Sequence, residues 1–517
     1  MAGKFVAALD VGTTTVRCHI LDQSTATIGT ACDKVELLYP KDGYEEIEPE
    51  QLWRAIVNVI TEAIKAAGVG VQQVACLGIS TQRSTFITWH RETGKPFHNF
   101  ITWKDIRADK LVQEWNNSFT MKTLRGTARC LYTATRSKRF LAASVLKLMN
   151  SQVTVRLMWA LQNIADLKEA ASKDLAMFGT VDTWLLYRLS GGKLHVTDVS
   201  NASATGFYDP FIMQWSGLSY SLFRFPASLL PEVWDTAGDF GCTSSDLFGA
   251  EIPICCVMAD QAASTFGSCC FDEGDIKVTM GTGTFLNLNT GRHPHASVAG
   301  LYPLVGWRVG NELVYLAEGA SHDTGSLINW AQHVGLLSEP AESNHLSSSV
   351  KDSGGVFFVP AFSGLQAPVN DAQAAAGFLG IKPTTTKNHM VRAMLESIVF
   401  RVLQLYETLQ KEANYCYSWI RVDGGVSKND FVMQLLADIT GLKVERPSSS
   451  EMTVLGVGFL AGLSAGMWKS KDELRMLRKV ERVFQADKER SQTYLHTFQL
   501  WNEALKRFLR WNHSGSS

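Results

Sequence analysis

The chain has 517 residues, of which 45% are hydrophobic and 19% charged, and a formal net charge of -1. That length exceeds one ordinary core and requires two or more domains, while the composition excludes a disordered chain and offers no bulk basic surface for nucleic acid. No run of about 18 apolar residues occurs, and Met1-Ala2-Gly3-Lys4 leads straight into a short strand rather than a secretory signal, so a soluble, cytoplasmic protein without a transmembrane segment is expected. Ten cysteines lack a zinc-type CxxC pairing, and Cys255-Cys256 and Cys269-Cys270 sit among apolar residues, as buried thiols in a reducing compartment would.

Phe5 to Leu9 reads as a buried strand, Asp10-Val11-Gly12-Thr13-Thr14-Thr15 as a turn and Val16 to Leu21 as a second strand. Such a turn can aim backbone N–H groups and hydroxyls at one anionic group; it can equally be a hairpin turn rich in Thr. Pro49 to Ala67 carries Leu52, Ile56, Val59, Ile60 and Ala63 at helical spacing, with Gly68 to end it. Val74 to Ser80 is a strand that delivers Thr81-Gln82-Arg83-Ser84, and strands are expected at Thr85 to Trp89 and Asn99 to Trp103. Arg83 and Trp103 at strand ends could hold a small polyol, one through its oxygens and the other over its carbons, or be a surface Arg and a core Trp. Residues 121 to 160 bring Arg125, Arg129, Arg136, Lys138 and Arg139, read as a solvated face, then a helical pattern through Leu146, Met149 and Leu157. Phe178 to Leu186 reads as a turn into a helix with Asp182 as a structural cap, and Thr197 to Ser203 as a polar, turn-forming segment that could line a cleft or simply satisfy backbone groups.

Near the middle, Ile252 to Ala259 forms an apolar run that ends in Asp260-Gln261 and then a helix start. A carboxylate at the carboxyl end of a buried strand suits chemistry in an α/β protein, or simply caps the helix. Asp275 to Met280, Gly281-Thr282-Gly283-Thr284 and Phe285 to Leu288 repeat the earlier strand, Gly/Thr turn and strand, which suggests a duplication with one phosphate-binding turn per half. No GxxxxGK[ST] motif occurs. A helix is expected after Gly325, a strand over Gly354 to Pro360 and a packing helix over Val391 to Tyr406. Ile420 to Val422 leads into Asp423-Gly424-Gly425-Val426-Ser427-Lys428-Asn429, where glycines let backbone approach a ligand. Gly458, Gly462 and Gly466 recur in a helix expected over Thr453 to Met467, and Tyr494, Phe498, Trp501, Leu505 and Phe508 form the stripe of a docked C-terminal helix, with His513 to Ser517 frayed.

Taken in this order, Gly78-Ile79-Ser80-Thr81-Gln82-Arg83, Gly179 to Trp184, Thr197 to Ser203, Met280 to Thr284 and Val422 to Gly425 resemble the FGGY carbohydrate kinases, within them the glycerol kinase branch, from Ala8 to about Trp511. The resemblance implies an α/β fold of two ribonuclease H-like domains of the actin/hexokinase type around an interdomain cleft, divided here as 1–262 and 263–517. It implies phosphoryl transfer from Mg-ATP to a polyol hydroxyl, glycerol to sn-glycerol 3-phosphate by default. Asp260 is then the catalytic base, and Arg83, Trp103, Gln261 and Phe285 hold the polyol with it. Thr13, Thr14, Thr15, Arg17, Thr282, Gly325, Asn329, Gly425 and Asn429 fall where the family contacts nucleotide. Asp10, with Asp260, would orient Mg2+ through water. No nucleic-acid partner is implied, and a homo-oligomer is compatible with the resemblance.

Four positions depart from the glycerol kinase pattern: Ser84 stands where Glu follows the strand-end Arg, Phe140 aligns with a substrate-contacting Tyr, and Ala259 and Ala262 flank Asp260-Gln261 in place of Gly and Gln. Two lost polar partners at about 1–3 kcal/mol each would weaken glycerol binding by orders of magnitude. A kinase for another polyol or sugar, and a weakly active nucleotide-binding regulatory protein, therefore stand as alternatives.

Overall fold

The computed structural model describes residues 4–413 and 415–512; the expectations at Met1 to Gly3 and His513 to Ser517 lie outside them. In the first half, β1 (Phe5–Val11), β2 (Thr15–Leu21) and β3 (Thr27–Lys34) form an antiparallel meander, and α1 (Pro49–Ala66) crosses to β4 (Val74–Thr81), parallel to β1. β5 (Ile254–Ala259) adds beside β4, giving the order β5-β4-β1-β2-β3, and runs into α2 (Asp260–Gly267). β1, β4 and β5 alternate little in burial because helices cover both faces of the sheet, as parallel strands require.

The second half repeats this wiring. β6 (Ile276–Met280), β7 (Thr284–Asn289), β8 (Tyr302–Val309) and β9 (Glu312–Ser321) are antiparallel, and α3 (Gly325–His333) and α4 (Lys387–Glu412) precede β10 (Trp419–Asp423), parallel to β6. After α5 (Asp430–Thr440), β11 (Lys443–Pro447) is again parallel, α6 (Met452–Ser464) follows, and β12 (Val480–Phe484) closes the order β8-β9-β7-β6-β10-β11-β12. α7 (Lys488–Leu505) docks Tyr494, Phe498, Trp501 and Leu505 into the core of this half, and Phe508 follows in a 3-10 turn packed against it.

α6 belongs to the second half in sequence but lies on the first sheet, where Val454, Val457, Leu460 and Ala461 pack with Val6, Ala8, Cys76, Cys256 and Met258. Its closest neighbour is α2: a Cβ on Gly456 would fall on the carbonyl of Ala263, so only glycine permits this approach. Gly458 faces Ala8 and Leu21 and Gly462 faces the Trp468 ring, as close packing predicts, whereas Gly466 lies beyond the helix end at φ +75°.

Several sequence expectations change. Residues 178–180 belong to a strand, Ala176–Thr180, paired with Phe86–His90, and Thr180 rather than Asp182 occupies the N-cap of the helix Val181–Leu189. Asp182 instead accepts from Thr180 Oγ1 (2.5 Å) and Thr197 Oγ1 (2.6 Å) in the interior. The polar segment 197–203 is a buried strand end and short helix, Val199–Ser203, in which Asp198 accepts from the Ser200 and Asn201 N–H groups, so its polar side chains do satisfy backbone groups. Only Phe100–Ile101 of the 99–103 stretch pairs as a strand. The helical pattern of the 140s is cut into Lys138–Ser144 and Val153–Asn163: Asn116 bonds both the N–H and the C=O of Leu148 (3.0 and 2.8 Å), a side-chain substitute for helical partners. Arg129, Arg136 and Lys138 are exposed as expected, while Arg125 donates to Asn116 O (2.6 Å) and Arg139 pairs with Asp209 (2.7 Å). All ten cysteines are free thiols; Cys256, Cys269 and Cys270 are buried and Cys255 half-buried. Among the described residues no helix is long and apolar enough to cross a membrane.

His98 shows how tightly the first half is closed. Its Nδ1–H donates to Asn99 O (2.6 Å), which leaves Nε2 to accept from Thr88 Oγ1 (2.8 Å), and burial pushes its pKa down to about 4 from 6.5. Between those values the unfolded chain binds a proton that the folded one refuses. His98 therefore adds a stability that is complete above pH 6.5 and falls by about 1.4 kcal/mol per unit of acidification. Because Asp10 and His195, among others, add slopes of their own in this window, the difference in unfolding free energy between wild type and His98→Gln, from urea titrations across pH 4.5–7, should follow this slope.

Candidate active site

The Gly12–Thr14 turn is held by a closed set of bonds. Gly12 N–H donates to Thr15 O (2.9 Å), Gln82 Nε2 donates to Gly12 O (3.0 Å), Thr13 Oγ1 donates to Gln82 Oε1 (3.1 Å), and Trp103 Nε1 donates to Thr13 Oγ1 (3.0 Å). Trp103 is thereby fixed beside the first turn. Thr14 is exposed at the tip. Arg17 Nη2 reaches Thr15 Oγ1 (3.3 Å), and its Nη1 pairs with Glu451, just ahead of α6. Asp10, cross-strand from Arg17, has a pKa pushed up to about 7 by burial and by the negative charge of Asp260, with Arg17 opposing.

Asp260 is the first residue of α2, and Ala259 takes the cap position. Its Oδ1 accepts from Gln261 N–H (2.7 Å) and faces Arg83 Nε (3.2 Å), so its other oxygen has no protein donor among the described residues. Burial raises its pKa, and Arg83 and Lys277 oppose the rise. Arg83 also meets Glu318 at 3.0 Å and lies over the Phe285 ring at 5.8 Å, which joins the strand end of the first half to β7 and β9 of the second. Gln261 Oε1 accepts from Thr279 Oγ1 (3.2 Å). A carboxylate with one free oxygen beside a guanidinium can take a proton from a hydroxyl that the guanidinium positions.

Three loops of the second half converge. Thr282, exposed in the second turn, gives its carbonyl to the N–H groups of Thr324 (3.2 Å), Gly325 (2.9 Å) and Ser326 (3.2 Å), which spends the amino end of α3 on the turn itself. Gly424, at φ +89°, sits against Met280 O and Gly281 N so closely that a Cβ there would lie 2.5 Å from that carbonyl. Gly425 beside it borders open space, and Asn429 caps α5 through Val432 N–H (3.1 Å) and donates to Ser343 Oγ (3.0 Å). Asn329 is exposed on α3.

Of the two departures at substrate-contacting positions, Ser84 is buried at φ +61° and its hydroxyl donates to Ala204 O (2.9 Å). Phe140 is half-buried on the helix Lys138–Ser144 and joins none of the aromatic contacts of the site. Five residues past that helix, Met149 reaches the second half: its Sδ accepts from Tyr302 Oη (3.0 Å), and Tyr302 is the strand partner of Glu318. In sequence Met149 reads as part of a helical apolar pattern, but it lies between helices. Sequence reasoning gave no role to Glu318 or Lys277. Lys277 is fully buried, bonds Asp423 Oδ1 and Thr279 Oγ1, and is held below the ordinary lysine value by burial, with Asp423 opposing; Asp423 Oδ2 accepts from Ser264 Oγ (2.7 Å). A charge inside each apolar stretch, Ile276-Lys277-Val278 and Leu316-Ala317-Glu318, was the signal available, since a buried charge demands a partner.

Comparison with known proteins agrees with this architecture. Residues 5–267 match the N-terminal domain, and residues 276–465 the C-terminal domain, of the FGGY family of carbohydrate kinases. Glycerol kinase 5 of Danio rerio is 51% identical over 512 residues, covering 98% of this chain and 97% of that protein. Glycerol kinase 2 of Thermotoga maritima is 36% identical over 509 residues, covering 98% and 99%. The crystal structure of Plasmodium falciparum glycerol kinase with ADP superposes with a TM-score of 0.86 at 29% identity, covering 98% of this chain and 99% of that one. Matched in both halves and along nearly its whole length, the chain belongs to the FGGY family of carbohydrate kinases, with that family's two-domain fold.

Proposed function

We propose that the protein phosphorylates a small polyol from ATP, with glycerol to sn-glycerol 3-phosphate as the default reaction. The observation that carries this reading is Asp260 at the amino end of α2, with one carboxylate oxygen free, in the crevice that Arg83 bridges to Glu318. Relatives named glycerol kinase at 36% to 51% identity support the choice of acceptor.

In this reading Arg83, Trp103, Gln261 and Phe285 orient the polyol so that one hydroxyl meets the free oxygen of Asp260. That hydroxyl attacks the γ-phosphorus, its proton passes to Asp260, and the bond to the β-phosphate oxygen breaks to release ADP. The transition state of such a transfer is loose, so positioning and charge matter more than the strength of the base. Thr13, Thr14, Thr15, Arg17 and Thr282 face the phosphates, and Gly325, Asn329, Gly425 and Asn429 the rest of the nucleotide. The negative charge of Asp260 adds to burial in raising the pKa of Asp10, so the pair suits a divalent cation. Held there through water, Mg2+ would neutralise phosphate charge when bound. Lobes taken as 1–262 and 263–517 would close over the reactants and exclude water. Ten free thiols suit a reducing cytoplasm.

Ser84 favours a second reading, a kinase for another polyol or sugar, because its hydroxyl is spent on Ala204 O. The test is a coupled ADP-release assay of the purified protein with Mg-ATP over glycerol, longer polyols and sugars. Turnover with glycerol above all supports the default, a higher kcat/KM elsewhere supports the second, and no acceptor-dependent turnover with ATP still bound removes both.

A further inference from the structure

The polar groups around Asp260 are largely committed to one another. Ser84 Oγ serves Ala204 O, Trp103 Nε1 serves Thr13 Oγ1, Arg83 is divided between Asp260 and Glu318, and Gln261 Oε1 takes the Thr279 hydroxyl. His322 is not committed. It stands one residue past the end of β9, and because side chains alternate along a strand it continues the face of Glu318 and Ala320. Glu318 on that face reaches Arg83, and Ala320 is the strand partner of Phe285, the ring beneath Arg83. The His322 ring meets the edge of Trp103 across the cleft, with centroids 6.3 Å apart and planes at 67°.

The backbone N–H of His322 donates to Gln366 Oε1 (2.9 Å), which fixes the residue in place. Neither ring nitrogen hydrogen-bonds to the protein, and neither is an enclosed orphan among the described residues, so both can meet a ligand. Burial holds the imidazole below its ordinary value, with Asp323 opposing and Lys104 and Arg401 adding to the effect. At pH 7 it is therefore neutral and offers one donor and one acceptor, the same pair that a hydroxyl offers in return.

We propose that His322 is a specificity-determining residue of the acceptor site, hydrogen-bonding the polyol hydroxyl remote from the one that Asp260 deprotonates. The proposal rests on the polyol kinase reading. It supplies that reading with a polar contact that Ser84 and Phe140 do not provide, from the opposite side of the cleft. The acceptor class follows: a polyol with a hydroxyl at both ends, rather than one ending in a methyl group.

The test compares glycerol with propane-1,2-diol, which lacks the remote hydroxyl, in the full-length protein, His322→Phe and His322→Gln, reading kcat, KM for acceptor and KM for ATP. Wild type should favour glycerol in kcat/KM by about 10- to 100-fold. His322→Phe should lose that preference through a raised glycerol KM, with kcat and the ATP KM held, and His322→Gln, which keeps a donor and an acceptor, should retain most of it. If His322→Phe fails to fold, His322→Asn, too short to reach, reads the same preference. An unchanged preference overturns the role of His322 and leaves the kinase reading standing. Parallel losses in kcat and ATP KM also overturn it, in favour of a structural role. A wild type that turns over no acceptor overturns the kinase reading and this proposal together.

Discussion

Asp260→Asn should lower acceptor-dependent ADP release by about 10³-fold while the KM for ATP stays near its wild-type value. Asn keeps the size of the side chain and can still accept from Gln261 N–H through Oδ1, so α2 should start unchanged. What it replaces is the free oxygen, the one atom at that position able to take a proton from an incoming hydroxyl. Arg83 keeps Glu318 as its partner, so the crevice should hold its shape. Steady-state kinetics with saturating acceptor would check this, and a rate within about tenfold of wild type would remove Asp260 from the role of base.

The largest effect on stability should come from Lys277→Met. Lys277 is entirely buried, and its ammonium is the counter-ion of the buried Asp423. Met reproduces much of the stem but leaves the Asp423 carboxylate with Ser264 Oγ and no cation, a change that costs about 3–5 kcal/mol when one partner of a buried pair is removed. Replacing both partners, as Lys277→Met with Asp423→Leu, removes the stranded charge and should restore most of that loss. Chemical-denaturation midpoints of the single and double variants measure this directly. A single variant within about 1 kcal/mol of wild type would show that the pair is dispensable. Asp423 leads into Gly424-Gly425 and Lys277 also holds Thr279, the partner of Gln261, so the single variant should in addition raise the KM for ATP.

Much of the fold was legible because strands and turns leave local marks. The Gly/Thr turns at 12–14 and 281–283, the apolar run into Asp260 and the delivery of Arg83 at a strand end all lie where the sequence indicates, and the family they resemble is the one that both halves match. Duplication was legible from two echoing turns, and the repeated sheet wiring bears it out. What was not legible depends on register and tertiary contact. Glu318 meets Arg83 only because β9 pairs with β7 in one particular alignment, and a slip of one residue would turn its side chain away. Segment 197–203 reads as turn-forming because Asp, Ser and Asn bond backbone groups, but that it folds as a buried helix depends on the donors brought to it from elsewhere: Ala259 N–H donates to Ser200 Oγ at 2.8 Å and Val305 N–H to Ser203 Oγ at 3.0 Å. His322 gave no signal at all, since an isolated His beside an apolar element most often serves packing, and Met149 gave only the signal of an apolar stripe.

The lodging of α6 on the first sheet sets the timetable of synthesis. All five strands of that sheet have been translated by Ala259, but the helix that covers Val6, Ala8, Cys76 and Met258 ends at Ser464. Residues 260 to 464 take a ribosome on the order of 10 to 40 s to add. For that interval the nascent first half carries an uncovered apolar face, and it cannot mature ahead of the second half as an independent domain would. A chain released early, before Met452, would keep that face permanently bare and be a substrate for chaperones and proteases rather than a smaller folded protein.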